Sequence, residues 1–174
     1  MKMFKKLMAV ALVGVMALSM LTGCAVTDKL KNDHVLDAMS DVASAYAKRD
    51  ETNKVDTIKF KSKSSLNTEL KNLLNNAKAE DVKAYEGGKV VNGKYIVTAV
   101  EIEKSTSSVS EFKNYALEIL AGLDRTGFEA KAELSNNGKT ATVNAGVKVD
   151  GFKTVDNSKT VYYAVVLVEA VAKA

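Results

Sequence analysis

Apolar side chains recur at helical spacing in two stretches of the first half of the chain. The first stretch runs from Asp28 to about Arg49, and its apolar face consists of Val35, Met39, Val42 and Tyr46. The second runs from about Ser65 to Ala79, and its apolar face consists of Leu66, Leu70, Leu73, Leu74 and Ala77. Intervals of three and four residues place such side chains on one side of a helix. Both stretches are therefore predicted to be amphipathic helices.

A third helix is predicted by its start signal as well as by its apolar face. Ser108 and Glu111 have the spacing of a capping box, in which each side chain accepts a hydrogen bond from the other residue's backbone N–H. The apolar positions that follow are Phe112, Tyr115, Ala116, Ile119 and Leu123. Gly122 or Gly127 is expected to end this helix, since glycine is favoured just beyond a helix C-terminus.

Two strand pairs are predicted from Asn-Gly turns. Asn92-Gly93 separates residues 82–91 from residues 94–103, and both segments are rich in valine and isoleucine. Asn-Gly favours a two-residue hairpin turn because both positions must adopt positive φ. Gly87-Gly88 is expected to bend the first of these strands. A short strand is also expected at residues 55–60.

The second hairpin is predicted over residues 127–150. If Asn137-Gly138 forms a two-residue turn, partner numbers sum to 275, so Phe128 faces Val147 and Leu134 faces Ala141. The alternation of apolar and polar residues selects the same register, because a slip of one residue would expose the apolar side chains to solvent.

The last predicted strand begins at Thr160 and is apolar on both faces. Tyr162, Ala164, Val166 and Val168 occupy one face, and Val161, Tyr163, Val165 and Leu167 the other. Such a strand is either central and covered on both sides, or it offers one face to a partner. In the second case the partner face consists of Tyr163, Val165 and Leu167.

Together these elements predict an α+β fold. We expect two to three helices on one face of a curved, mainly antiparallel sheet of about five strands, forming a single domain over residues 30–174. The order of elements over about residues 28–172 resembles the nuclear-transport-factor-2-like fold, and cystatin-like helix-on-sheet domains are similar to it as well. The resemblance implies room for a small-ligand pocket between helix and sheet.

The first 24 residues have a different character. Lys2, Lys5 and Lys6 precede an uncharged run from residue 7 to residue 21. A run of this length is short for a bilayer-spanning helix and typical of an export signal.

The sequence Leu21-Thr22-Gly23-Cys24 resembles the lipobox of bacterial lipoproteins. This resemblance implies a diacylglyceryl group on the Cys24 sulfur, cleavage between Gly23 and Cys24, and an amino group open to N-acylation. Residues 1–23 are then the signal peptide and residues 24–29 a short lipidated tether. Ala25 lacks the acidic side chain that would suggest inner-membrane retention, so we expect the outer membrane if the cell has one.

Composition narrows the range of functions. Three of the 25 basic residues lie in the signal peptide, which leaves 22 basic against 21 acidic residues. A net charge of about +1 argues against nucleic-acid binding, which needs a strongly basic surface. Cys24 is the only cysteine, so its acylation leaves no thiol for a disulfide or a cysteine-based metal site.

Few residues are candidates for chemistry. His34 is the only histidine and lies near Asp37 and Asp41, so a weak metal site or an acid–base pair competes there with a solvated helix flank. A structural zinc site lacks ligands. Glu101 and Glu103 share a predicted strand face. Two such carboxylates could form a catalytic pair, but this pattern usually marks the solvent-exposed face of a strand.

Two further features have alternative interpretations. Lys59, Lys61 and Lys63 either meet an anionic polymer or lipid, or form a solvated strand edge. Gly87-Gly88 lacks the P-loop pattern.

We therefore expect an envelope lipoprotein that is not an enzyme, uses no cofactor, and binds a partner protein or ligand or has a structural role. A small-ligand carrier or sensor is the alternative, and a carboxylate-based hydrolase a weaker one.

Overall fold

The computed structural model describes residues 28–50 and 52–173, and within them it is an α+β fold, as predicted. The helices are α1 (Asp28–Arg49), α2 (Ser64–Leu73), α3 (Ala79–Lys83) and α4 (Val109–Leu123). The strands are β1 (Thr57–Ser62), β2 (Lys89–Val91), β3 (Tyr95–Ile102), β4 (Phe128–Ala130), β5 (Glu133–Leu134), β6 (Thr140–Lys153) and β7 (Thr160–Ala172).

The three long helices form where the apolar spacing predicts them. The capping box of α4 is confirmed, since Ser108 Oγ accepts from the Glu111 N–H at 3.2 Å and Glu111 Oε2 accepts from the Ser108 N–H at 2.9 Å. Helix α2 ends at Leu73, earlier than predicted, and Asn76 just beyond it adopts a left-handed φ of 59°. Gly122 does not end α4 but lies buried within its last turn.

The main path of the sheet runs β1-β6-β7-β3-β2, with β4 and β5 added beside β7 and β6. All strand pairs are antiparallel except β1 with β6. Strand β7 is central, because β3 pairs along one side of it and β6 along the other. Seven strands therefore form among the described residues, two more than predicted.

Both faces of β7 are covered by helices, which corrects the prediction that the helices lie on one face. On one face α1 and α4 pack against Ala164, Val166 and Val168. On the other face α2 and α3 pack against Tyr163, Val165 and Leu167. A strand that is apolar on both faces is stable only if both faces leave water, so β7 needs helices on both sides. The prediction of a single helical layer is therefore wrong.

Tyr163, Val165 and Leu167 are therefore not a partner face. Each of the three side chains is at most 2 % exposed and lies beneath the leucines of α2. Of the two interpretations of this strand, the central one is confirmed.

The edge formed by β1 and β6 is capped by side chains of the helices. Ser44 Oγ accepts from the Ile58 N–H at 2.8 Å, and Ser40 Oγ accepts from the Phe60 N–H at 2.8 Å. Where β1 has ended, Asn67 Oδ1 accepts from Val147 N–H and Asn32 Oδ1 from Val149 N–H. These donors would otherwise face solvent at an open edge.

The first hairpin is confirmed at its turn but is shorter than predicted. Asn92 and Gly93 have φ values of 53° and 63°, as a two-residue turn with two left-handed positions requires. Residues 82–88 are not a strand, since they contain the end of α3 and a turn. Gly87 and Gly88 both adopt positive φ in that turn, which agrees with a bend.

The second hairpin has the predicted register only near its turn. Leu134 pairs with Ala141 as predicted, whereas Phe128 and Ala130 pair with the end of β7 instead of with β6. The predicted partners on β6 are already paired with β7, whose continuous apolar strand is the stronger competitor. Within this loop only Gly138 has a left-handed φ, whereas a two-residue Asn-Gly turn needs two such residues. The Gly138 N–H donates to the Ser135 carbonyl, so the loop is longer than two residues.

Gly146 on β6 sets the distance between α2 and the sheet. A Cβ at this position would overlap the carbonyl oxygen of Leu66 and lie 2.6 Å from its carbonyl carbon. The backbone of α2 can approach the strand this closely only because glycine lacks a side chain.

We predict that Gly146→Ala lowers the free energy of unfolding by about 1–3 kcal/mol, because α2 must move away from the sheet to admit a methyl group. Denaturant unfolding followed by circular dichroism measures this. Asn144→Ala is the matched control, because Asn144 lies on the same face of β6 but pairs with Lys61, ahead of the start of α2, and it should change stability by less than about 0.5 kcal/mol. Equal losses in the two variants would contradict the close approach.

Candidate functional site

The predicted lipidation site, Gly23 and Cys24, lies outside the described residues. The start of α1, four residues later, is held at one end of the sheet. The Asn32 side chain accepts from Val149 near the end of β6, and His34 Nδ1 lies 2.7 Å from the Ser107 carbonyl oxygen. The N-terminus of α1 therefore lies at this end of the sheet.

We call this part of the molecule the tether end and define it as residues 29–34, 74–78, 103–108 and 153–160. Strand pairing and side-chain contacts place these segments at one end of the sheet, since Ile102, just before Glu103, pairs with Tyr162, just after Thr160. Lys31 Nζ donates to the Lys104 carbonyl at 3.4 Å, and Lys78 Nζ donates to Asn157 Oδ1 at 3.0 Å. The loop joining β6 to β7 projects from the same end, since Lys153 pairs with Thr160.

An open groove of about 330 Å³ lies at the tether end, between the C-terminus of α2 and the last part of β6. Leu74, Ala77 and Phe152 contribute apolar surface to it. Its polar lining residues are Asn76, Lys78, Lys148, Asp150 and Lys153. The volume falls at the lower end of the range for small-ligand sites.

The groove combines three lysines with a single carboxylate. Lys148 Nζ and Asp150 Oδ2 form an ion pair at 2.9 Å, with both side chains partly exposed. Asp150 thus offsets one lysine, and Lys78 and Lys153 leave the lining positive. An anionic group attached to an apolar body matches this lining better than a cation does.

The β6–β7 loop beside the groove is held by a network of short hydrogen bonds. Asp156 Oδ1 accepts from Thr154 Oγ1 at 2.5 Å and from the backbone N–H and hydroxyl of Ser158. These bonds, led by the one from Thr154, lower the pKa of Asp156 from its ordinary 3.8 to about 2. Glu80 Oε2 ties the same loop to α3 by accepting from the Val155 N–H at 3.0 Å.

Tyr163 lies beneath this region and packs edge-to-face against Phe152, with ring centroids 6.2 Å apart. Burial, followed by the negative charges of Glu86, Glu101 and Glu80, raises the pKa of its phenol to about 12. The phenol therefore stays protonated at neutral pH and cannot serve as a general base there.

The candidates for chemistry are not brought together. His34 bonds to the Ser107 carbonyl, and Asp41 pairs with Lys113 of α4 at 2.7 Å, so both side chains connect α1 to its neighbours. Among the described residues no cluster of three or more histidine, aspartate or glutamate side chains is arranged to hold a metal ion.

The remaining candidates are separated as well. Glu101 is exposed on β3, whereas Glu103 lies beyond the strand end and accepts from Ser105 Oγ at 3.5 Å. Lys59 and Lys61 are exposed on β1. Lys63 instead pairs with Glu169 of β7 at 3.5 Å, and Lys131 pairs with the same carboxylate at 3.1 Å. These two lysines, through hydrogen bonds and charge, lower the pKa of Glu169.

Comparison with known proteins gives no relative from which a function can be transferred. No family model, no curated protein and no solved structure matches this chain. Within the described part of the chain, no helix has the length and apolar character needed to cross a bilayer. A function for this protein must therefore be inferred from its own residues.

The groove was missed by sequence reasoning because its two walls are distant in the chain. Residues 74–78 form one wall and residues 148–153 the other. Each wall alone is a short polar segment with one or two lysines, which is typical of any loop or strand end. Only the packing of α2 along β6 brings them together.

We predict that Asp156 stabilises the β6–β7 loop at neutral pH and ceases to do so in acid. A carboxyl group whose pKa is lowered on folding stabilises fully above its ordinary 3.8, and the contribution is lost as the pH falls toward about 2. Asp156→Asn should therefore be less stable than the natural chain above about pH 5, and the difference should narrow toward pH 2. Urea unfolding at several pH values measures this, and a difference independent of pH would contradict it.

Proposed function

We propose that this protein is an exported lipoprotein held on the membrane by acyl chains on Cys24, and that its domain has a non-catalytic binding or structural role. The observation that supports this proposal is the Leu21-Thr22-Gly23-Cys24 sequence, which follows a charged start and an uncharged run. Two acyl chains are enough for stable anchoring, since each buried CH₂ contributes about 0.8 kcal/mol. The expected location is the cell membrane, or the outer membrane if the cell has one.

The position of α1 is compatible with a surface-anchored domain. Four residue steps separate Cys24 from Asp28, where α1 begins, and they span at most about 14 Å. The tether end and its groove would thus lie close to the lipid, and ligands in the envelope would reach the groove from the side.

The groove supports a binding role for the domain. Its lysines and its apolar residues, Leu74 and Phe152, suit a partner that carries a negative group beside an apolar one. An envelope protein and a small amphiphilic ligand both meet this description. Nucleic acid is not proposed, because the mature chain carries almost no net positive charge.

A small-ligand carrier or sensor is the second candidate. The groove lies between a helix and the sheet, as this alternative requires, but it is open and lined by lysines rather than enclosed by tyrosine and valine. A carboxylate-based hydrolase has less support, because glycoside hydrolysis generally needs two carboxyl groups across one cleft. Asp150 is the only carboxylate among the residues that line the groove.

We predict that Cys24→Ser abolishes membrane attachment, because a serine hydroxyl is not a substrate for thiol acylation. Expression in a bacterium, separation of membranes and mass spectrometry of the intact protein test this. The natural chain should be found in membranes at the mass of an acylated chain beginning at Cys24. The variant should be unprocessed or released.

Ala25→Ser is the matched control, since it changes the neighbouring residue and retains the thiol. It should fractionate with membranes as the natural chain does. A Cys24→Ser protein that remains in the membrane fraction at the mature mass would show that the anchor is assigned wrongly.

The binding role can be tested by photo-crosslinking in the native cell. We predict that a photoreactive residue at Lys148, in the groove, captures a defined partner, whereas one at exposed Lys59 on β1 does not. Capture of one protein in stoichiometric amount favours the interaction role, and capture of a small molecule alone favours the carrier. Identical adducts from both positions would contradict a binding role for the groove.

A further inference from the structure

We infer that the tether end is a lipid-docking surface: Leu30 and Val155 enter the headgroup region of the bilayer, and the surrounding lysines contact anionic phospholipid. The inference rests on the proposed anchor and extends it, because an anchor alone leaves the orientation of the domain undetermined. It commits to the membrane that holds the acyl chains as the occupant of this surface.

The exposed apolar side chains of the domain are unevenly distributed. Among the described residues three large apolar side chains are exposed: Leu30 at 44 %, Leu134 at 51 % and Val155 at 66 %. Leu30 lies in the first turn of α1 and Val155 at the tip of the β6–β7 loop, both within the tether end. Exposed apolar residues at the place where the chain turns toward a membrane gain stability by leaving water.

Charge at the tether end favours the same occupant. Its six lysines are Lys29, Lys31, Lys78, Lys104, Lys153 and Lys159. Its three acidic residues are Asp33, Glu103 and Asp156. The carboxylate of Asp156 is directed to hydrogen bonds within its own loop. A surplus of lysine close to the lipid is attracted by the negative potential of anionic phospholipids.

The acidic residues beside this surface reduce its positive charge without making it negative. The Glu80 carboxylate accepts from the Val155 N–H and the Asp81 carboxylate from the Lys78 N–H, and both keep their negative charge, whereas Asp150 is offset by Lys148. Glu80 also fixes the loop that carries Val155, so the apolar tip is presented by an ordered segment. The surface is therefore built before it meets lipid, which limits the entropy lost on docking.

The length of the tether restricts the alternatives. About 14 Å of chain reaches from Cys24 to the start of α1, whereas Val149, which bonds to Asn32 there, lies eight residues and about 26 Å along β6 from Ala141. Leu134 pairs with Ala141 near the far end of that strand. The tether end therefore stays within reach of the lipid. Leu134 does not when the strands of the sheet stand along the membrane normal.

The single cysteine makes a selective test practical. Because acylation of Cys24 consumes the only natural thiol, Val155→Cys and Leu134→Cys each offer one site for the fluorophore NBD. The lipidated variants are placed in vesicles of phosphatidylcholine with phosphatidylglycerol and a nitroxide quencher on the lipid headgroup. We expect strong quenching of NBD at position 155 and little or none at position 134.

Lysine variants test the electrostatic part. Lys153→Ala with Lys159→Ala should weaken the quenching at position 155, and so should vesicles of phosphatidylcholine alone. The matched control is Lys59→Ala with Lys61→Ala, which removes two exposed lysines from β1 and should leave the quenching unchanged. Equal effects of the two pairs would overturn the role of the lysines.

The test separates failure of docking from failure of the anchor. If the protein stays on the vesicles and NBD at position 155 is quenched no more than at position 134, the domain does not dock and the inference is wrong. If the natural chain itself takes up NBD at Cys24, the thiol is free and the proposed anchor fails, together with the docking that rests on it.

Discussion

The fold depends on the need to remove both faces of β7 from water. From Tyr163 to Val168 every side chain of this strand is buried, and each valine or leucine among them contributes about 1.5–3 kcal/mol. One layer of helices cannot cover two faces, so α1 and α4 occupy one side while α2 and α3 occupy the other. The neighbouring strands follow from the same constraint, because a strand buried on both faces must also satisfy its backbone groups from both edges.

The accuracy of the sequence predictions varied with the range of the interactions involved. Helix α1 and the capping box of α4 were predicted closely, because apolar spacing and capping are local properties of consecutive residues. The register of Leu134 with Ala141 was also correct, since the loop lies close to both residues. Phe128 was paired wrongly because its local alternation carries no information about β7, which reaches that part of the sheet from more than forty residues away in the chain.

The two functional features differ in the same way. The proposed lipidation signal is a run of consecutive residues ending at Cys24, so the sequence alone suggests it, whereas the groove depends on the packing of α2 along β6. The start of α1 is nevertheless connected to the groove, because Asn32 accepts from Val149 on the strand that lines it. An anchor and a ligand site at one end of a domain would place bound ligand beside the lipid, as exchange between a membrane and its surface requires.

Side-chain caps along β1 and β6 also bear on how copies of the protein behave together. Molecules confined to a two-dimensional layer meet far more often than the same number dispersed in a volume, which promotes any self-association they permit. Ser40, Ser44, Asn32 and Asn67 occupy the backbone donors that a second copy would need for strand addition. At the opposite edge, β2 has only three residues, too few to template an extended ladder. Strand addition between crowded copies is therefore disfavoured at both ends of the main strand path.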